Sequence, residues 1–484
     1  MESERNDPNA LVEDAIKWGE GKNKRWSDGI QRQELWFDFF NYAGIHRHVF
    51  LYTTPTIYIK DIHIHTGLNG DQGVVNYIVI VNGATKEDKL EPYIALYDSD
   101  GHLVDEKFSL QGTFIINDPH LWWPLFMHPQ PGYLYSLQVS LCNPNSLASS
   151  DGDIYRLPVG IRHLQWNDTS LTINGKPLYL RGFGKHEDFH VKGKGEDLSV
   201  LIKDFNLLKW VGANSFRTSH YPYSEETMYM ADRHGILIID ETPAVSLRHF
   251  KKEVLDLHTQ ILQELISRDK NHPSVIMWSL GNECQTVENS SRPYFQHLSE
   301  LARTLDKTRP ITLVLNAAVD KDHVGDLLDV VSVNRYFGWY EDPGQTEVIG
   351  QKVQNEYHAW HAKYHKPVLV TEYGAGAVAG LHNSPGFVFT EDYQVELLLE
   401  HFKAYAGLRQ EEGSFLIGEM IWNFADFMTD QDSKRVYGNR KGIFTRDRQP
   451  KAGAHIVRCH YFALAKELDS FNSTHLCYPS FYGG

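Results

Sequence analysis

Apolar and polar residues follow different rhythms in successive parts of this chain. Residues 1 to about 33 have almost none: Leu11, Val12, Ile16, Trp18 and Trp26 stand isolated among polar and charged neighbours, too few to bury, which predicts a weakly ordered lead-in. Glu34-Leu35-Trp36-Phe37-Asp38-Phe39-Phe40 is abruptly aromatic and continues to Arg47. Such a segment rarely opens a domain and is expected to dock against another surface. From His48 to about Ile161 the period is 2, in runs such as Thr56–Ile64, Val74–Val81 and Leu134–Leu141, punctuated by the turn signals Asn82-Gly83 and Asp100-Gly101. Period 2 with regular turns predicts an antiparallel sandwich of immunoglobulin-like type, to which no chemistry is assigned.

After Arg162 short buried-strand runs alternate with helically spaced stretches. The strand candidates are Leu178–Gly184, Ala213–Ser219, Gly235–Glu241, Val275–Ser279, Ile311–Leu315, Val330–Asn334, Val368–Glu372 and Glu419–Phe424; between them lie helical sets such as Leu201, Phe205 and Leu208, or Val254, Leu257, Ile261 and Leu265. Eight strand and helix units predict a closed parallel (β/α)8 TIM barrel. The expected division is therefore a lead-in over 1–45, an immunoglobulin-like β-sandwich over 46–161, a catalytic barrel over 162–465 and a tail over 466–484. The fold class is multidomain, β followed by α/β.

In such a barrel chemistry gathers where strands end in loops. Ser274-Val275-Ile276-Met277-Trp278-Ser279-Leu280-Gly281 ends in Asn282-Glu283, and Pro367-Val368-Leu369-Val370-Thr371 ends in Glu372. Lys185-His186-Glu187-Asp188, Ser219-His220, Asp240-Glu241, Asn334-Arg335-Tyr336 and Trp422-Asn423 occupy corresponding places. Two glutamates at strand ends make a candidate glycosidase pair, one protonating the leaving oxygen and the other acting on the anomeric side of the sugar. An amide beside the acid, as Asn282 is, suits a sugar hydroxyl, although Asn-Glu is also a good helix start.

The formal net charge is −15 at pH 7, which argues against a nucleic-acid or anionic-membrane surface. Against that background Lys434, Arg435, Arg440, Lys441, Arg446 and Arg448 crowd the stretch after strand 8. Either this is a solvated loop face, or it is a clamp for a carboxylate. No apolar run approaches the roughly 20 residues of a membrane span. Cys142, Cys284, Cys459 and Cys477 lack metal-type spacing, and their pairing stays open. Asn167-Asp168-Thr169, Asn289-Ser290-Ser291 and Asn472-Ser473-Thr474 are glycosylation sequons. The N-terminus has no apolar signal-peptide core, so these residues alone are expected to stay in the cytosol.

Seven motifs carry a family resemblance: Asp38-Phe39-Phe40-Asn41-Tyr42-Ala43-Gly44, Lys185-His186-Glu187-Asp188, Phe216-Arg217-Thr218-Ser219-His220-Tyr221-Pro222-Tyr223, Arg268-Asp269-Lys270-Asn271-His272-Pro273, Thr371-Glu372-Tyr373-Gly374, Ile421-Trp422-Asn423-Phe424-Ala425-Asp426-Phe427 and Gly438-Asn439-Arg440-Lys441-Gly442-Ile443-Phe444. From about residue 34 to 460 the chain resembles the β-glucuronidase family within glycoside hydrolase family 2, and reads most like its animal members. The resemblance implies a retaining mechanism with Glu283 as acid/base and Glu372 as nucleophile. It implies Asn439 and Lys441, with Arg435 nearby, at the sugar carboxylate, and Asp38, His186, Asn282, Tyr336, Tyr340 and Trp422 in the substrate pocket. It implies no metal or cofactor, a glucuronide or glycosaminoglycan-fragment substrate, a lysosomal location and a homotetramer for the full-length form.

This sequence departs from the family pattern in Cys284, where the family usually has Pro, and in Phe337, where Tyr is common. The link from Glu241 to about Lys252 is too short for the long active-site loop of some bacterial members. Family members also begin with a jelly-roll domain, of which residues 1–45 would be the trailing edge. A β-galactosidase or β-galacturonidase of the same family, and a catalytically idle carbohydrate-binding form, are the rival readings. The Asn439-x-Lys441 pair weighs against the first, and retention of both glutamates against the second.

Overall fold

A computed structural model describes residues 37–85, 88–142 and 152–471. The expected lead-in over 1–33, most of the tail and the sequon at Asn472 lie outside them. Phe37 and Phe39 do dock as the sequence suggests: without regular structure, both rings are buried in the barrel's core cluster, and Phe39 packs 5.2 Å from the His186 ring and 5.6 Å from Tyr221.

The period-2 region folds as two antiparallel sheets. One has the order β1 (Tyr58–Asn69), β2 (Gln72–Asn82), β5 (Gln111–Ile116). The other has the order β4 (Leu103–Lys107), β3 (Glu91–Tyr97), β6 (Tyr135–Cys142), β7 (Asp153–Val159). Alternate residues of both sheets, among them Val75, Tyr77, Ile94, Leu96, Phe114, Leu137 and Val139, meet in one apolar core, as facing sheets require. Gly83 and Gly101 adopt φ +79° and +85°, the left-handed values that glycine supplies at turns without a Cβ clash. A small sheet of β8 (Leu164–Trp166), β9 (Leu171–Ile173) and β10 (Lys176–Pro177) bridges to the barrel.

The eight-strand ring forms as predicted, closed and parallel: β11 (Leu180–Gly184), β12 (Ser215–Arg217), β13 (Leu237–Glu241), β14 (Val275–Asn282), β15 (Ile311–Leu315), β16 (Val330–Asn334), β17 (Val368–Glu372) and β18 (Leu416–Ile421), with β18 returning to pair with β11. The eighth strand begins earlier than the Glu419–Phe424 expected and ends at Ile421. Every residue of the eight is buried, so the near-continuous apolar runs follow from a wall with core on one side and helices on the other.

The outer layer is α1 (Leu198–Val211), α2 (Glu225–His234), α3 (Lys252–Asp269), α4 (Ser291–Leu305), α5 (Ile349–Tyr364), α6 (Glu391–Gln410) and α7 (Ala452–Asp469). Local chemistry sets their ends. The Asp197 carboxylate accepts from the amides of Ser199 and Val200 to start α1, and Gly212 at φ +84° stops it.

Candidate active site

Polar side chains at or just past several strand ends converge on one mouth. Glu372 ends β17 and is 4% exposed. It accepts from the Arg217 guanidinium and, at 2.5 Å, from the Tyr336 hydroxyl. Arg217 ends β12, is fully buried and also reaches both oxygens of Glu241, at 2.8 and 2.9 Å. One planar fork thus serves two carboxylates, a geometry that lysine lacks. Glu241 is completed by the Ser279 hydroxyl at 2.8 Å and the His220 ring nitrogen at 3.0 Å. Burial raises the Glu372 pKa above the ordinary carboxyl value; the Arg217 charge opposes this, and the Glu283 charge adds to it.

Glu283 follows β14 and is held differently. Its backbone is left-handed, φ +52°, a conformation that costs a non-glycine residue roughly 1–3 kcal/mol and persists only where its surroundings fix it. Its N–H donates to the Val314 carbonyl at 2.8 Å. Asn334 donates to Oε1 at 2.8 Å and Asn316 to Oε2 at 2.9 Å. The neighbouring Asn282 accepts from Asn334 at 3.2 Å and from Arg217 at 3.5 Å, so its carbonyl oxygen faces the mouth. Beneath the two gripping amides, the Arg335 guanidinium donates to the carbonyls of Asn316 (3.0 Å), Asn334 (2.8 Å) and Ala317 (2.5 Å), and is anchored by Glu356 at 2.7 Å. Asn334 is paired in register with Glu372 across β16 and β17, which brings the two glutamates to neighbouring places on the rim.

The third wall comes from residues distant in sequence. Asp38 accepts from Thr429 at 2.8 Å, Arg435 Nε at 2.7 Å and Asn439 Nδ2 at 2.8 Å. Burial alone would raise its pKa, but Arg435 and Lys441 outweigh burial and hold it below the ordinary value. The Arg435 guanidinium and the Lys441 ammonium converge on the Tyr340 hydroxyl, at 2.5 and 2.6 Å. Lys441 is buried, and its ammonium lies 4.9 Å from the Tyr336 ring and 4.6 Å from the Tyr340 ring. Burial, reinforced by the Arg435 charge, pushes it down to about 7.

Trp422 forms the floor, with His220 stacked on it at 5.0 Å and His186 edge-on at 5.3 Å. His186 Nδ1 lies 3.1 Å from the Tyr221 hydroxyl, while its buried Nε2 has no partner among the described residues. Burial drives its pKa well below the ordinary value, so the ring is neutral and keeps one free hydrogen-bonding position.

All eleven residues singled out from the sequence, Glu283, Glu372, Asp38, His186, Asn282, Tyr336, Tyr340, Trp422, Arg435, Asn439 and Lys441, are therefore brought to this mouth. The six basic residues of the late stretch divide. Arg435 and Lys441 enter the mouth, and Lys434 lies over the Tyr340 ring at 5.1 Å. Arg440, Arg446 and Arg448 instead pair with Asp426, Asp188 and Asp204 and fix the loop. Sequence reasoning missed Arg217 and Asn316, and placed Glu241 and Asn334 at strand ends without their holding roles. The signal for Asn316 was present, as the first polar residue after Ile311–Leu315.

A half-buried carboxyl on neutral amides, a buried carboxylate on a guanidinium, and two cations across from both can protonate a leaving oxygen, attack a carbon and bind an anion. Residues 57–162 match the family described as glycosyl hydrolases family 2, and residues 164–466 its TIM barrel domain. The chain is 45% identical to the β-glucuronidase of Sus scrofa over 446 residues, spanning 92% of this chain and 67% of that one. It is equally 45% identical to the β-glucuronidase of Homo sapiens, with the same coverage. Among solved structures, the β-D-glucuronidase from Dictyoglomus thermophilum superposes with TM-score 0.84 at 41% identity, covering 93% of this chain and 77% of that one. A β-glucuronidase from an uncultured Clostridium gives 0.82 at 44%, covering 89% and 73%.

Proposed function

This chain belongs to glycosyl hydrolase family 2, and we propose that it is a retaining β-glucuronidase that removes terminal β-linked glucuronate from glycosaminoglycan fragments or glucuronide conjugates. The observation that carries this reading is the convergence of Lys441 and Arg435 on one hydroxyl opposite the Glu283 and Glu372 pair. Two cations there suit a sugar carboxylate and have no counterpart to serve in a neutral hexose.

In this reading Glu283 gives its proton to the glycosidic oxygen while Glu372 attacks the anomeric carbon. The aglycone leaves as an alcohol and a glycosyl ester forms on Glu372. Glu283, now ionised, takes a proton from water, whose oxygen attacks the same carbon and releases glucuronate and Glu372. Arg217 and Tyr336 aim the nucleophile and oppose the rise in its pKa that burial causes. The amides of Asn316 and Asn334 position the Glu283 carboxyl through both of its oxygens without placing a charge beside it. Asn439 contributes indirectly, through Asp38 and through the Lys441 N–H that its side-chain oxygen accepts at 3.0 Å.

A lysosomal site of action is supported by the exposed sequon residues Asn167 and Asn289 and by the disulfide at Cys459, since disulfides persist in oxidising compartments. Hydrolysis of a chromogenic β-glucuronide and of the matching β-galactoside tests the substrate. Strong preference for the glucuronide is expected, and equal turnover of both would transfer the reading to a neutral-sugar hydrolase. Binding of glucuronate without turnover of either would favour an idle carbohydrate-binding protein. Proton NMR of the first-formed sugar tests the mechanism: β-glucuronate is expected, and the α anomer would replace retention with inversion.

A further inference from the structure

At the opposite end of the barrel, between the start of β14, the start of β15 and the edges of β1 and β8, a cleft of about 490 Å³ opens to solvent. Small-molecule sites commonly fall between roughly 300 and 1,000 Å³. Its lining includes Arg162, Lys270, Lys307, Arg309, His65 and His163, and no aspartate or glutamate. That is unusual in a chain of net charge −15.

The floor is the informative part. Arg162 is buried, and its guanidinium donates to two carbonyls, Pro273 at 2.6 Å and Val275 at 2.8 Å, with no carboxylate partner among the described residues. Arg309 shares the Val275 carbonyl at 2.6 Å and is neutralised by Asp306 at 2.7 Å, and Lys270 is neutralised by Asp61 at 2.7 Å. Arg162 on the floor therefore has no carboxylate in direct contact among the described residues, Asp306 and Asp232 offsetting its charge only in part and from a distance, and Lys307 on the rim is exposed. A buried cation in this position is expensive unless an anion approaches it. Burial, with the Arg309 charge beside it, lowers Arg162 to about 9, which reflects the same deficit. The walls suit a sugar, because Trp166 offers a half-buried indole and Gln165 an exposed amide.

We propose that this cleft is a second carbohydrate site, which takes a carboxylate- or sulfate-bearing sugar unit of an anionic chain. Val275 opens β14 and Glu283 follows its last residue, so at about 3.3 Å per residue the cleft lies roughly 25 Å from the glutamates. It can hold a chain without competing for the mouth. The assignment of a sugar, rather than a bare anion, rests on the function proposed above.

The test is calorimetric titration with a sulfated, uronate-containing hexasaccharide whose non-reducing end is an N-acetylhexosamine, so that the mouth has no terminal glucuronate to engage. Sodium sulfate and an uncharged hexasaccharide are the other two probes. Saturable binding of the anionic hexasaccharide is expected. The exposed Lys307→Glu change combined with Trp166→Ala should weaken it roughly tenfold or more, as loss of a charge-assisted contact implies, while Lys441→Ala leaves it intact. Turnover of a small chromogenic glucuronide should not move in the cleft variant, and Lys307→Glu alone, which leaves the core contacts of Trp166 in place, should weaken binding without moving the melting temperature. Unchanged affinity in the cleft variant, or loss of binding in Lys441→Ala, overturns the proposal. Sulfate binding as tightly as the hexasaccharide overturns its sugar part, and so does equal binding of the uncharged chain. Each readout is a binding constant, so it stands whether or not the chain turns over glucuronides.

Discussion

The two glutamates of the mouth stand at the ends of β14 and β17, with two strands between them on one ring and bridged by Asn334, yet their surroundings are opposites. Glu372 is sealed in, gripped by a guanidinium that a second carboxylate already shares, and donated to by a phenol. Glu283 is half-exposed, on a left-handed residue, and meets only neutral amides. The guanidinium opposes the rise in pKa that burial imposes on Glu372. The amides bring no charge to Glu283 and grip it through both oxygens. In the mechanism proposed above, this difference is what assigns identical side chains to two roles, by the charge of what holds each.

The sharpest way to break this division is to replace each glutamate by its amide. Glu372→Gln is expected to lower kcat by about 10⁴-fold or more, whatever the aglycone, because no group remains to form the covalent bond. Glu283→Gln should lose roughly 10²- to 10⁴-fold on poor leaving groups and far less on activated aryl glucuronides, which leave without a proton. Equal losses on both substrate types in both variants would erase the distinction.

Lys441→Ala comes next. Removing one charge-assisted contact costs about 1.5–3 kcal/mol, hence a roughly 10- to 100-fold drop in kcat/KM for the glucuronide, with a small change in melting temperature. Parallel losses in activity and melting temperature would make Lys441 a structural residue.

The pH profile carries the comparison further. Glu372 must be ionised to attack, and its pKa is raised, so kcat/KM falls as pH drops through that raised value. Lys441 must be protonated to hold a carboxylate, and its pKa is lowered to about 7, so kcat/KM falls as pH rises through neutrality. The window lies on the acidic side of neutral. Bound substrate carboxylate stabilises the ammonium, so the alkaline limb of kcat should lie above that of kcat/KM. In Lys441→Arg, always charged, that limb should shift, leaving only the requirement that Glu283 carry a proton to limit the rate at high pH.

The smallest effect is expected at Arg335→Ala, which removes the tie beneath Asn316 and Asn334 and should lower kcat a few-fold with KM nearly unchanged. It should also narrow the gap between activated and poor leaving groups, a readout that mere loss of stability would not move.

Much of this was legible in the sequence for a physical reason. A barrel strand buried on both faces must be apolar, so Val275–Asn282 and Val368–Glu372 announce themselves, and the first carboxylate after each stands out against that background. The late basic stretch was legible because it packs six cations into 15 residues of a chain in which Asp and Glu outnumber Lys and Arg, 62 to 47. What stayed hidden was pairing across the ring. Nothing in Phe216-Arg217-Thr218 says that Arg217 will bridge Glu241 and Glu372, and nothing in the late basic stretch separates Lys441, in the mouth, from Arg448, locked to Asp204. Such partners are set by strand neighbours and loop returns, which no local pattern encodes. The cleft at the far end was invisible for the same reason, since its lining comes from four separated segments.

The ring closes by pairing Leu180 with Gly418 and Gly182 with Met420, residues from opposite ends of the barrel's sequence. Bringing such distant segments together carries a large loop-closure entropy and is slow. The mouth needs residues from β12, β14, β16 and β17 and from the loops beyond β18 all in place, so no partly assembled barrel can hydrolyse anything. During refolding from denaturant, helical signal should therefore return well before catalysis, and the lag between the two is a clock for the final closure of the barrel.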